Sequence, residues 1–305
     1  MPELSLRTRL FLFAAAAIVP LAVIAGIGLL ALLEQQRAEV YRSALDITRA
    51  LSLAVDAELR RTMSALQVLG TSASLDGADR QAFQRSAERV ITTRPDWRTI
   101  ILALPSGEIV VDTSVPVTAA RRVAERDSFE RAVRTLAPRV GYLATGPRGE
   151  YGVPVRVPVV RDGELRFVLT AVIKPDAIVE VVRNQRVPAD WVVSVFDARG
   201  MRVARSRAHE KFIGTPAAPS LHELMLSGAD EGVGLTQVLE GDDVHTAYTR
   251  VPETGWAVAI GIPTALVDGG AYRSLAVYGA GIALSLALGA LAALGVARSI
   301  VRKSG

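Results

Sequence analysis

The sequence predicts an α+β fold: two tandem five-stranded antiparallel modules carried on a long N-terminal helix, with an apolar helix of bilayer-spanning length at each end. Three observations predict it. The stretch AVIKPDAIV (171–179) recurs, residue class by residue class, as AIGIPTALV (259–267). In each copy a strand-length apolar run meets a proline, Pro175 or Pro263, at a position suited to the first turn of a helix. Upstream, DWRTIILALPSGEIVV from Asp96 and DWVVSVFDARGMRVA from Asp190 share the order Asp-Trp, strand, glycine turn, strand. The offset between copies is about 94 residues at the tryptophans and about 88 at the prolines, a diverged repeat still in register. Finally, two uncharged apolar runs, 10–33 and 275–296, bracket a middle region with the charge density of a soluble domain.

The 305 residues suffice for two domains of ordinary size. A net charge of +4 raises the question of nucleic acid, but the arginines stand singly or in pairs among nearly as many acids, with no basic run of five. That pattern belongs to a solvated arginine-rich surface and excludes a nucleic-acid partner. With no cysteine, disulfides, thiolate metal sites and thiol nucleophiles are excluded.

Taken in order, residues 1–9 form a short cytoplasmic N-terminus carrying Arg7 and Arg9. Residues 10–33 are the first transmembrane helix: about 24 residues give about 36 Å of helix, too long for the apolar core of a cleaved signal peptide. Pro20 is placed to kink it. Residues 34–75 form a stalk helix, free of Pro and Gly as far as Gly70. Leu45, Leu59 and Leu66 fall on a heptad that skips Ser52, and Val55 and Leu69 add a neighbouring stripe. The imperfect heptad favours a face packed on the modules over a free coiled coil, and both can hold in a homodimer.

The first module covers 76–189. A loop with Asp76, Gly77 and Asp79 leads to a helix from Arg80 to Thr93, stopped by Pro95. RTIILAL and EIVVDT are strands, and Asp127 with Glu130 reads as a capping box for a helix reaching Thr135. RVGYLATG, YGVPVRVPVV and ELRFVLTAVI are three further strands, the last two joined through the turn Arg161-Asp162-Gly163. The second module, 190–270, repeats the plan with WVVSVF, MRVARS, a helix capped by Ser220 with Glu223, GVGLTQVL, VHTAYTR and WAVAIGI. Residues 271–297 are the second transmembrane helix, with Tyr272 and Tyr278 near its outer end, and 298–305 begin a basic tail. Arg7 and Arg9 before the first span, and Arg298, Arg302 and Lys303 after the second, put both termini in the cytoplasm and residues 34–272 outside.

Motifs for catalysis are missing. The three histidines, His209, His222 and His245, lie far apart with no cysteine to help, so no metal site is expected. GPRGEYG (146–152) lacks the ending of a phosphate loop and reads as a turn. No cofactor is implied. Binding has better candidates: Arg126 opens a helix beside Asp127, Ser128 and Phe129, Tyr142 and Tyr151 sit on the strands that follow, and Lys174 ends the closing strand. Amides at a helix start and a guanidinium together favour an anion. The competing assignment has Arg126 paired with an acid, Phe129 in the core and Lys174 solvated.

The Asp-Trp openings, RDSFERAV, PVVRDGELRFVLTAVI, VFDARGMRVARS, KFIGTPA and TGWAVAIGIP together resemble the double Cache (dCache) sensor regions of bacterial transmembrane receptors. The resemblance covers nearly the whole chain and implies PAS-like modules, a small-molecule ligand in the membrane-distal module, and signalling to a histidine kinase, cyclase or chemotaxis output. ARSIVRKSG looks like the start of a HAMP linker, with the output domain outside these residues. In amino-acid-binding members an Arg-x-Trp-Tyr run and a later Asp hold the ligand. This chain keeps Arg126 but has Ser128 and Phe129 for the aromatics and Lys174 about where the Asp belongs. The resemblance therefore implies a carboxylate or other anion, with no carboxylate to receive an amine. The expected function is a two-span extracytoplasmic sensor in the bacterial inner membrane; the alternatives are a ligand-free assembly protein and an anchored enzyme.

Overall fold

A computed structural model describes residues 6–77, 79–116, 120–185, 187–227 and 229–303. It divides into two compact units, one made of 1–42 with 263–305 and one of 43–262.

In the first unit, helix α1 (Leu6–Gly70) begins and helix α7 (Thr264–Lys303) ends the chain. α1 runs unbroken through Pro20. Arg37 pairs with Asp268 at 2.8 Å. Among the described residues no helix is long and apolar enough to cross a membrane. The side chains of Arg7, Arg9, Arg298, Arg302 and Lys303, on which the orientation rests, lie outside the described residues, as do 1–5 and 304–305 altogether.

The second unit holds two antiparallel sheets and the outer part of α1. Ala44, Thr48, Leu51, Ser52, Val55, Leu59, Thr62, Leu66 and Leu69 are its buried face. The spacing of three and four is that of a helix packed along one side. Ser52, the gap in the leucine heptad, is itself buried and returns its hydroxyl to the Arg49 carbonyl at 2.9 Å. Thr48 meets Thr249 of the second sheet, hydroxyl to hydroxyl at 2.7 Å, and the Gly70 carbonyl accepts from Arg161 of the first at 2.7 Å. The stripe is thus a packed face.

Helix α2 (Arg80–Thr93), capped by the Asp79 side chain, leads into the first sheet. Its strands are β1 (Trp97–Ala103), β2 (Ile109–Asp112), β3 (Arg139–Val140), β4 (Ala144–Thr145), β5 (Tyr151–Arg161) and β6 (Glu164–Ile173). Helix α3 (Arg126–Thr135) lies between β2 and β3, and α4 (Pro175–Arg183) follows β6 with Pro175 in its first turn. The order across the sheet is β2-β1-β6-β5-β3, with β4 also on β5. The β5–β6 turn places Asp162 at φ 51° and Gly163 at φ 80°, the left-handed pair that suits a two-residue hairpin.

RVGYLATG does not form one strand. Val140 pairs with Val155 and Ala144 with Gly152, so three residues of the edge face two of β5 and the ladder breaks between β3 and β4. Gly141 donates to the Pro154 carbonyl at 2.7 Å, but Pro154 has no N–H to return. By strand alternation Pro158 turns its backbone to the same outer side.

The second sheet contains β7 (Val192–Phe196), β8 (Arg202–Arg205), β9 (Glu231–Gln237), β10 (Asp243–Arg250) and β11 (Ala257–Pro263) in the order β8-β7-β11-β10-β9, repeating the first. Helices α5 (His209–Phe212) and α6 (Pro219–Leu226) join β8 to β9. Phe196, Leu221, Met225, Tyr248 and Ala257 form its core. Two predicted caps are corrected. α3 is capped by Glu125, whose carboxylate accepts from the Ser128 amide at 3.0 Å, not by Asp127 with Glu130. α6 has no side-chain cap; Ser220 turns outward and accepts from the Gln237 amide at 3.0 Å.

Candidate functional site

The first module encloses a cavity of about 120 Å³ between its sheet and the loop that leads into α3. Strand alternation presents Gly152, Pro154 and Arg156 of β5, and Thr170 and Val172 of β6, to this side. A bulge at the start of β1, where pairing shifts between Trp97 and Thr99, adds Arg98 to the same face. The mouth is formed by residues 121–125 and by the 144–150 edge and turn.

Four arginines and three acids meet here: Arg98, Arg121, Arg122 and Arg156 against Asp112, Glu125 and Glu150. Asp112 is saturated. Its Oδ1 accepts from the Thr99 hydroxyl at 2.7 Å and from the Ser114 amide and hydroxyl at 3.0 and 2.8 Å, and its Oδ2 accepts from Arg121 at 3.1 Å. Arg156 is 3 % exposed and donates to the Ser128 hydroxyl (2.8 Å), Thr170 (3.1 Å) and the Glu125 carbonyl (2.6 Å), with the Glu125 carboxylate at 3.4 Å. Burial lowers its pKa to about 10, opposed by Glu125, so it stays charged at neutral pH. Glu125 also accepts from the Ser128 hydroxyl in a short bond.

The other side is less satisfied. Arg98 donates to the Tyr151 carbonyl at 3.1 Å and stands 3.9 Å from Glu150, yet its Nε and the Glu150 Oε2 are both buried without a partner. A hydrogen bond from its own backbone amide holds the Glu150 carboxyl below its usual pKa; desolvation opposes this, and Arg148 and Arg98 reinforce it. Buried polar atoms without partners are unfavourable, so this wall is suited to a polar occupant.

None of Arg126, Ser128, Phe129, Tyr142, Tyr151 and Lys174 lines the cavity. Arg126 is exposed and pairs with Glu130 one helical turn on, at 3.1 Å. It shares only a separate hollow with Phe129, whose ring is in the core. Ser128 stands behind the wall, joining Glu125 to Arg156. The Tyr142 hydroxyl accepts from Arg131 at 2.9 Å, and its ring lies under Arg199 of the second module. Tyr151 packs its hydroxyl end against Gly214. Lys174 donates to the Pro95 carbonyl at 2.7 Å. A carboxylate does stand in the wall of this cavity, that of Glu150 in the turn GPRGEYG.

The sequence carried one signal for this wall. Arg156 is the sole charge in the alternating apolar run YGVPVRVPVV, and a cation inside a strand buried on both faces needs partners or a purpose.

A family model described as Cache domain matches residues 31–271. No curated protein matches. Among solved structures, an extracellular domain described as that of a histidine kinase, rpHK1S-Z16, aligns with TM-score 0.64 at 14 % identity, over 76 % of this chain and 98 % of its own. The sensory domain of the Campylobacter jejuni chemoreceptor Tlp3 with isoleucine bound gives 0.58 at 12 % identity, over 77 % and 97 %. The ligand-binding domain of the Pseudomonas aeruginosa PAO1 chemoreceptor PctB with L-Arg gives 0.57 at 11 % identity, over 74 % and 96 %.

Proposed function

Because this chain belongs to the Cache domain family, we propose that it is the extracytoplasmic input of a bacterial transmembrane receptor, binding a small carboxylate in its first, membrane-distal module. One observation carries the reading: a cavity of about 120 Å³ whose wall holds four arginines against three acids, two of the acids already engaged by protein donors. At roughly 10–15 Å³ of such volume per water-sized centre, it has room for a ligand of about ten non-hydrogen atoms. Arg98 and Arg122 are the anchors: among the described residues Arg98 reaches a carboxylate, Glu150, only at 3.9 Å, and Arg122 has no ion pair.

A second reading, an amino acid, is favoured by the unpartnered Glu150 Oε2 beside Arg98, a pair suited to an ammonium and a carboxylate. The chemoreceptor neighbours hold isoleucine and L-Arg.

The membrane topology rests on the uncharged runs 10–33 and 275–296. It is supported by the apolar side chains that α1 and α7 leave exposed, among them Ile24, Ile27, Leu30, Leu284 and Leu291. Binding shifts the first module, and α7 carries the change to a cytoplasmic output domain. A second copy pairs along the outer face of α1, where Leu53 and Val68 are exposed.

Calorimetry on the purified chain with a panel of carboxylates and amino acids tests this reading. Arg98→Gln weakens the best ligand at least about tenfold, as charge-assisted bonds of roughly 1.5–3 kcal/mol require, while Arg126→Ala changes it less than about twofold. The reverse ranking places the site at α3. Reporter fusions at Gly163 should read outside and those after Arg302 cytoplasmic.

A further inference from the structure

The second module repeats the first module's cavity in miniature, with arginines in place of two of its lining residues. A space of about 30 Å³ lies on the matching face of the second sheet, lined by Ser194, Thr236, Thr246, Ala259, Arg202 and Arg205. Pairing across the sheets fixes the correspondence. Phe196 faces Arg202 as Ala103 faces Ile109, and Ser194 faces Arg205 as Ile101 faces Asp112. An isoleucine and an aspartate of the first cavity are thus both replaced by arginines.

Two residues of odd separation share one face because β8 carries an extra residue. The register shifts between Val195 and Phe196, leaving Val203 unopposed and turning Arg202 to the side of Arg205. Arg202 is 4 % exposed and Arg205 2 %. Arg205 is neutralised by Glu240 at 2.8 Å and donates to the Arg207 carbonyl at 3.1 Å. Arg202 has no acid. It donates to the Thr215 hydroxyl in a short bond, lies 4.9 Å over the Phe196 ring, and leaves its Nε buried without a partner. No Asp or Glu lines the space. Burial, with Arg205 adding to it and Glu240 opposing it, lowers the Arg202 pKa to about 10, so two cations face one carboxylate at neutral pH.

We propose that the second module binds a compact monoanion, of the size of chloride or formate, between Arg202 and Arg205. An unpaired guanidinium removed from water is strongly unfavourable, and a counter-ion in the adjoining space removes that penalty. The volume admits about two or three water-sized centres, which fits a halide or a one-carbon carboxylate and excludes a metabolite of amino-acid size. Gly261 lines the same space and packs on Val244, which a side chain there would meet at 3.2 Å. The hydroxyls of Thr236 and Thr246, 2.8 Å apart, offer the anion a donor from the opposite wall.

The test is a thermal melt of the full chain in detergent micelles, in gluconate buffer titrated with chloride, formate or sulfate. Chloride and formate should raise the midpoint saturably, and sulfate should not. Arg202→Gln should weaken the chloride effect at least about tenfold, whereas Arg126→Gln, at an exposed arginine that lines neither cavity, should leave it intact. A shift retained in Arg202→Gln or lost in Arg126→Gln would overturn the assignment, as would no saturable shift at all. If Arg202→Gln does not fold, anomalous diffraction from bromide-soaked wild-type crystals decides: a peak between the two guanidinium groups supports the site and its absence refutes it.

Discussion

The Arg199 guanidinium lies 4.0 Å over the Tyr142 ring and reaches past it to Asp127, so the first turn of the second module is clamped to the broken edge of the first. Asp197, two residues earlier, accepts from the Leu143 amide at 2.9 Å, taking the donor that the interrupted ladder leaves free. Ala144 and Thr145, next along, line the first cavity. A ligand that moves this edge therefore pulls on the second module directly.

Arg199→Ala should loosen that connection without touching the cavity. A cation over a partly exposed ring is worth about 0.5–1 kcal/mol, and the exposed ion pair adds at most a similar amount. The thermal midpoint should fall by a few degrees with ligand affinity preserved. An unchanged midpoint would show that the contact carries no coupling.

Arg156→Met should be far more costly, by about 3–5 kcal/mol, because it leaves the Glu125 carboxylate buried without its cation. Adding Glu125→Gln should recover part of the loss. Chemical denaturation of the two single variants and the double variant measures the coupling, and strict additivity would contradict it.

Gly141→Ala tests how closely the edge approaches the wall. A side chain there would lie 2.5 Å from Glu125 Oε2 and 2.6 Å from Pro154 Cγ, so the carboxylate must move. A loss of about 1–3 kcal/mol in stability should accompany weaker ligand binding. Full retention of both would mean that the edge is pliant.

His209 gives a pH dependence. Burial lowers its pKa from the ordinary 6.5, against the pull of Asp176 and Glu210, with Arg183 acting in the same sense as burial. Below 6.5 the unfolded chain takes up a proton that the folded one resists. The stability contributed by His209 is complete above that pH and declines as pH falls toward the lowered folded value. Melts between pH 7.5 and about 5 should show a decline that His209→Gln reduces; equal slopes would assign it to other groups.

The repeat, most of the strands and the long packed helix were legible because each rests on a local pattern: alternation, a three-and-four spacing, a proline at a helix start. The cavity wall was not. Arg126 looked like a ligand anchor from its place at a helix start, but a neighbour one turn away satisfies it in solvent. Arg98 and Arg202 reach their cavities only through bulges, and one extra residue in a strand reverses which face a side chain takes. That displacement depends on pairing with strands tens of residues away. Glu125 was missed for a related reason: the capping-box pattern pointed to Asp127, and the choice between two acids depended on Arg156 approaching from β5.

The two prolines of β5 have a consequence for how this protein behaves among its neighbours. Beyond β3, the outer side of β5 offers a stranger's strand no N–H at Pro158, while Arg161 is tied back to Gly70 and Asp76. The sheet thus ends in a border that another polypeptide cannot extend by backbone pairing. Pro158→Val would restore the missing donor, and with it a route to edge-to-edge aggregation that should appear as concentration-dependent light scattering in the variant alone.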